Sequence, residues 1–334
     1  MSKQIFIIGS SRSGTTMMGR ILSKHREVFT FKELHFFGTL WSKSSKKINK
    51  KESVLLLARL LCIQENGIFH QDKIYSFYPE AQDILCKYKT NDPIDIYKLF
   101  FDVYLTKTSS SISCEQTPNN IFYLEEILTF FPNAYIINMV RDQRDVLLSQ
   151  KNKWKRRFLG ASNIPLSEAL RAYINYHPIT IARIWNSCLL YSRKFKHNKQ
   201  VKIIYFEKLL NSPENIIQDI CTFLEIDFDL NMLRVPLLGS STEDDNKKHM
   251  LIDSTKIMKW KRGGLNNAEI YLSQLFSNNM MEYFSYDLKQ YRFPPLFCIF
   301  YIFTFPIKLG FSFLLNIRKM ANINEVIKKR FFVK

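Results

Sequence analysis

The stretch IFIIGSSRSGTTMMGRIL, Ile5 to Leu22, constrains the fold more than any other part of the chain. Ile5–Ile8 is an apolar run ending in Gly9, the pattern of a parallel strand buried on both faces. A helix is expected from Thr15 to Ser23, with Met17, Met18, Ile21 and Leu22 for its buried side. Between them lies a turn with the spacing GxxxxG, Gly9 to Gly14. Backbone N–H groups at such a helix start point outward unpaired and bind anions. A loop for nucleoside triphosphates would continue Lys-Ser/Thr, the lysine reaching the terminal phosphates and the hydroxyl holding magnesium. Here Thr15 and Thr16 follow Gly14, and the cation, Arg12, sits inside the loop. The anion cradle is kept while the triphosphate and metal apparatus is weakened.

The rest of the chain alternates strands with helices. Glu27–Phe37 reads as a second strand running into a loop, Ile112–Glu115 as a third, Ala134–Val140 as a fourth and Val201–Phe206 as a fifth. Helical patterns fill Glu52–Phe101, Asn119–Phe130, Asp142 to about Lys153, and Ser167–Lys196 with a kink expected at Pro178. Ser212-Pro213 opens another, reaching Leu224, with Ser as N-cap and Pro at the first helical position. This order predicts an α/β fold with a mainly parallel sheet.

The formal charge of +18 attracts anions without saying which. The six cysteines form no CxxC and the six histidines no HxxxH pair, so no metal site is expected. Scattered cysteines suit a reducing compartment. With the first strand four residues into the chain, neither a leader nor an N-terminal anchor is expected, and the location expected is cytoplasmic.

Phe293 to Ile317 is strongly apolar, interrupted by Pro306 and Lys308 and followed by basic residues. It has the length of a membrane span. Three readings stay open: an interfacial or inserted hairpin, a true span, or an apolar cover on the core. Arg318, Lys319, Lys328, Lys329 and Arg330 would suit an anionic cytoplasmic leaflet. The expected division is a domain of residues 1–290 and an apolar, basic appendage of residues 291–334.

GSSRSGTT resembles the 5′-phosphosulfate loop of sulfotransferases that use 3′-phosphoadenosine 5′-phosphosulfate (PAPS). The resemblance implies a nucleotide-kinase-like central parallel sheet flanked by helices, with the appendage added, and a reaction that needs no metal. Ser11, Arg12, Ser13, Gly14, Thr15 and Thr16 match the loop, and Arg12 matches the cation at the phosphosulfate bridge. AYIINMVRDQRDVLLSQ resembles the family's 3′-phosphate motif, with Arg141 and Ser149 in its two positions. An Arg at the carboxyl end of a strand lies where α/β sheets place ligands, and its fork grips a phosphate by two bonds.

FKELHFF resembles the segment of heparan-type sulfotransferases that carries a glutamate base. Glu33 matches it, and His35 shares its face if strand geometry continues. Either one is a candidate base. CEQTPNN resembles an E-K-T-P segment in which Gln116 stands in place of lysine, so that charge is either dispensable or supplied from elsewhere, Lys32 being a candidate. Lys261 and Arg262 in KWKRGGLN sit where relatives have a basic loop over the 3′-phosphate, and either contribute to it or form a solvated basic loop. The late strand and helix, VKIIYFEKLLNSPENIIQDICTFLEI, complete a resemblance spanning roughly Lys3 to Asn266.

The expected reaction is sulfuryl transfer from PAPS to a hydroxyl acceptor, a saccharide or saccharide-bearing lipid by preference, with no nucleic-acid partner. Lys151, Lys153, Lys155, Arg156 and Arg157 either line a groove for an acidic acceptor or form a solvated face. A P-loop kinase is the first rival, and it would need a lysine after Gly14. A noncatalytic anion- or membrane-binding protein is the second, and it leaves the ordered motifs unexplained.

Overall fold

The structure, a computed structural model, describes residues 3–236, 241 and 252–332. Five parallel strands form its sheet: β1 Lys3–Gly9, β2 Val28–Thr30, β3 Ile112–Glu115, β4 Tyr135–Val140 and β5 Val201–Tyr205. Their order is β2-β3-β1-β4-β5. The chain runs to one side of β1 for β2 and β3, then to the other for β4 and β5. That reversal opens a crevice at the carboxyl ends of β1 and β4, where such sheets bind ligands.

Both faces of the sheet are covered, which is why the strands are apolar without alternation. Ile5 and Ile7 pack with Met18, Ile21, Ile137, Met139 and Ile204 on one side. Phe6 and Ile8 pack on the other with Ile136, Val140, Phe101 and Trp185. The helices Lys50–Asn66 and Pro93–Thr108 wall that second side, each N-capped by a side chain, Asn49 and Asp92.

Two expectations need correction, while the strand read in Glu27–Phe37 does run into a loop, its pairing as β2 ending at Thr30. Beyond it, Phe31, Leu34, Phe36 and Phe37 are buried in an irregular segment, Phe36 stacking on Tyr97 with ring centroids 4.0 Å apart. Their apolar character serves burial, although Phe31 still donates its N–H to the Cys114 carbonyl of β3 at 2.8 Å. The long helix foreseen over Ser167–Lys196 is two helices, Leu166–Ile174 and Pro178–Lys194. Pro178 opens the second, a position where its missing N–H costs nothing, and the preceding His177 is extended at φ −153°. Ser212 precedes the helix Pro213–Leu224 without a capping bond from its side chain.

The apolar tail forms the helix Cys298–Asn316, continuous through Pro306. A last helix, Ile323–Phe331, returns to the body. Lys329 Nζ donates to Glu126 Oε1 at 2.7 Å and to the Phe122 carbonyl at 2.8 Å, and Ala321 N–H donates to the Gly38 carbonyl at 2.9 Å.

Candidate active site

The loop after β1 is fixed by two glycines. Gly9 has φ 142°, and a Cβ there would lie 2.3 Å from the Met139 carbonyl oxygen on β4. Gly14 has φ 96°, and a Cβ there would lie 2.5 Å from the Phe206 ring. Both positions therefore exclude side chains on conformational and steric grounds. Arg12 itself takes the left-handed region at φ 75°. The helix Thr15–Leu22 starts with no side-chain cap and no acidic residue in its first turn. Its first N–H groups and positive dipole end are left for an anion.

Strand register brings the second cation beside this loop. Gly9 pairs with Met139 and Val140 with Tyr205, so Arg141 follows β4 between the loop and Phe206. Arg141 Nη1 donates to the Arg12 carbonyl at 3.1 Å and Nη2 to the Lys256 carbonyl at 3.1 Å. Its guanidinium lies 4.2 Å from the Phe206 ring centroid, a cation–π contact. Asp145 Oδ2 stands 3.7 Å away, whereas Asp142 is taken by Arg144 at 2.7 Å. Arg12 Nε donates to Ser149 Oγ at 2.9 Å. Ser13 Oγ and Arg141 Nε are buried polar atoms with no hydrogen-bond partner among the described residues. Such orphans fit a site built for an anion with several acceptor oxygens.

The carboxylate comes from the segment after β2. Thr16 Oγ1 donates to Glu33 Oε1 at 3.3 Å, and His35 Nε2 lies 3.4 Å from Glu33 Oε2. The two meet because His35 adopts φ 51°, a turn, and not because a strand pleat continues. Desolvation opposes ionisation of Glu33. The hydrogen bond from His35, its charge, and the cations Lys153 and Arg12 outweigh it, and the carboxyl is held below its ordinary 4.5.

The end of β3 supports this turn. Glu115 accepts N–H groups from Leu34 at 3.3 Å and Thr117 at 3.1 Å, the Asn120 amide at 2.5 Å, and the Thr117 hydroxyl. Full burial pushes its pKa up to about 7, against the pull of those bonds. Gln116 Nε2 donates to the Phe31 carbonyl at 2.9 Å.

A family model described as "Sulfotransferase family" matches residues 4–230. The chain belongs to the sulfotransferase family. A search of curated proteins returns no significant match. Among solved structures, the sulfotransferase domain from the curacin biosynthetic pathway is 17% identical with a TM-score of 0.55, covering 86% of this chain and 99% of its own. The sulfotransferase domain of the Synechococcus PCC 7002 olefin synthase is 22% identical with a TM-score of 0.53, covering 86% and 96%. These similarities establish the P-loop-like α/β fold of this sulfotransferase.

Within it, the expected residues fall into a connected group and an outlying one. Arg12 is joined to Arg141 and Ser149, and Thr16 to Glu33 and His35, with Ser11, Ser13, Gly14 and Thr15 in the same loop. Lys261 and Arg262 are exposed, and Arg262 donates to the Thr255 carbonyl. Their segment reaches the site through its backbone instead: the Lys256 carbonyl takes Arg141, and Trp260 N–H donates to Asp145 Oδ1 at 2.9 Å.

Lys32 does not replace the missing lysine of the E-K-T-P segment. Its ammonium donates to the Glu65 carbonyl at 2.8 Å, on the helix Lys50–Asn66. Lys153 is instead the lysine whose charge acts on both Glu33 and Arg12. By surface area it is open to solvent. Desolvation, followed by repulsion from Arg12, Arg171 and Arg156, nonetheless pushes its ammonium down to about 8. Attraction to Glu33 opposes the fall. Lys153 stands in a basic run after Ser149, and nothing in that run marks which cation turns inward.

Proposed function

We propose that this sulfotransferase takes PAPS as donor and transfers the sulfuryl group to a hydroxyl acceptor. One observation supports this most: a carboxylate held in its ionised form, Glu33, is hydrogen-bonded to Thr16 of the anion-binding loop, beside Arg12. Base, loop and loop cation are thus within one side chain's reach of each other. The amides of Ser11 to Thr16 and the Ser13 and Thr15 hydroxyls hold the 5′-phosphate, while the Thr16 hydroxyl stays on Glu33. Arg141 and Ser149 hold the 3′-phosphate, with the backbone around Lys256 closing over Arg141.

PAPS supplies the sulfuryl group, whose bond to the phosphate oxygen breaks as a bond to the acceptor oxygen forms. Glu33 removes the acceptor proton. Arg12 and Lys153 stabilise the negative charge that appears on the departing phosphate oxygen. His35 orients Glu33 and lowers its pKa.

A saccharide or saccharide-bearing lipid is the preferred acceptor, because the Glu33 segment resembles that of glycan-modifying relatives. Six unpaired cysteines suit a cytoplasmic location. Titration with adenosine 3′,5′-bisphosphate and, separately, with ATP–magnesium tests the reading. Tight binding of the first without metal is expected. Binding of ATP–magnesium alone would turn the site into that of a kinase.

A further inference from the structure

The helix Cys298–Asn316 is built inside out. Cys298, Tyr301, Phe305, Lys308, Ser312 and Asn316 recur at helical spacing and form the stripe turned towards the body. At one end Cys298 is buried against Ile179, Ala268 and Leu272, and His177 Nε2 lies 3.0 Å from the Tyr301 carbonyl. Midway, Lys308 Nζ sits 5.2 Å from the Tyr173 ring centroid. At the far end Asn316 accepts from Arg171 at 2.7 Å and donates to Asn175 at 3.0 Å. The polar residues therefore face the protein. Ile299, Phe300, Ile302, Phe303, Ile307 and Leu314 face out, with Phe303 73% and Leu314 67% exposed.

This arrangement decides among the three readings of the tail. A cover for the core would turn its apolar side inward, as an amphipathic helix of a soluble protein does. A span would have to carry its far end to the other side of a bilayer. Both ends of this helix are tied to the same body, and the chain after it returns to Gly38, Phe122 and Glu126. What remains is a helix about 28 Å long, at about 1.5 Å per residue, lying along the surface with its apolar side outward.

Charge identifies the phase it meets. No acidic residue lies between Asp287 and Glu325, while Lys289, Arg292, Lys308, Arg318 and Lys319 do. Arg292 and Arg318, beyond the two ends, are exposed. An apolar ridge flanked by cations matches acyl chains under anionic headgroups. We propose that this helix is an in-plane anchor that seats the protein on an anionic bilayer surface without crossing it.

The anchor also has a bearing on the acceptor. It packs on the helix Leu166–Ile174, whose Leu166, Leu170 and Tyr173 are exposed, and that helix packs on the turn Lys153–Phe158. Lys153 is the cation beside Glu33 and Arg12. The apolar surface thus runs to the acceptor side of the crevice, and a hydroxyl borne on a lipid would arrive there. This last step rests on the sulfotransfer reading; the anchoring itself does not.

Vesicle flotation of the full chain tests the anchor, using phosphatidylcholine alone and an equimolar mixture with phosphatidylglycerol. The parent is expected to float with the anionic vesicles and to be released in part by salt. The triple variant Phe303→Glu/Ile307→Glu/Leu314→Glu is expected to stay in the dense fraction. The pair Arg292→Glu/Arg318→Glu should weaken binding by more than about tenfold. Adenosine 3′,5′-bisphosphate binding by the same variants should be unchanged, which reports that they are folded. It also separates failure of the anchor from failure of the donor-site reading. A parent that floats with neither vesicle, or variants that float as it does, would overturn the proposal. So would a soluble dimer that the triple substitution dissociates, since the ridge would then belong to a second copy.

Discussion

Glu115 at the end of β3 accepts the backbone N–H of Leu34, the residue that separates Glu33 from His35, at 3.3 Å. Thr117, which donates to Glu115 through its hydroxyl, accepts the His35 N–H at 3.2 Å. The turn carrying the candidate base is therefore held by its backbone on a buried carboxyl from another strand. Glu115→Ala leaves several buried donors unsatisfied at about 1–3 kcal/mol each. It should lower the unfolding midpoint, and turnover should fall by more than about tenfold while bisphosphate affinity stays within about threefold. Thermal unfolding, kinetics and a binding titration on one preparation measure all three. Turnover that survives in a destabilised protein would show that Glu115 stabilises the fold without positioning Glu33.

Glu33→Gln should lower turnover by about 10²–10⁴-fold, the usual contribution of general-base catalysis, with little change in donor affinity. The pH dependence tells which of the adjacent pair is the base. Glu33 titrates below 4.5, so it remains a base as pH falls, and the rate should drop only when pH passes below that value. In His35→Ala the hydrogen bond and charge that lower the carboxyl are gone, so the acid limb should move up. A wild-type limb at about 6.5, the ordinary imidazole value, would make His35 the base instead.

Arg141→Ala should weaken adenosine 3′,5′-bisphosphate binding by about 10²-fold or more, the scale of losing a forked charge-assisted contact. It also removes the donor to the Arg12 and Lys256 carbonyls, so Arg141→Lys separates charge from geometry. Lysine keeps the charge but cannot serve two carbonyls and a phosphate together, and it should recover only part of the affinity. Calorimetric titration of the three proteins checks this. Equal affinities would remove Arg141 from the donor site.

The sheet was legible in the sequence because its strands are short apolar runs with hard stops. β3 occupies Ile112–Glu115 as read, and β4 and β5 end within a residue of the runs that announced them. In the loop after β2, Phe31, Phe36 and Phe37 look like strand residues, whereas their rings are wanted by the core. The loop, Arg141 and Glu33 were legible as motifs. Their mutual contacts were not, since these depend on register between strands far apart in sequence. The direction of Lys32 and Lys153 was illegible for a plainer reason: a lysine's flexible stem carries no sign of where its ammonium goes. The tail's polar stripe was open to reading, because Lys308, Ser312 and Asn316 recur every four residues. Overall hydropathy hid it.

Lys153 gives the site a measurable proton count. Desolvation and its cationic neighbours hold the ammonium down to about 8, so at that pH about half of the side chains are neutral. An anionic ligand placed among Arg12, Arg156 and Lys153 reverses the repulsion and raises the pKa. Binding of adenosine 3′,5′-bisphosphate at about pH 8 should therefore take up protons, up to roughly half a proton per site. The uptake should fade towards pH 6, where Lys153 is already charged. Calorimetry in buffers of different ionisation enthalpy reads this directly: the apparent binding enthalpy should vary with buffer at pH 8 and much less at pH 6. Lys153→Met should abolish the dependence and slow turnover, because Arg12 alone would then face the departing oxygen. Buffer-independent enthalpies for the parent at pH 8 would mean that Lys153 does not face the bound anion.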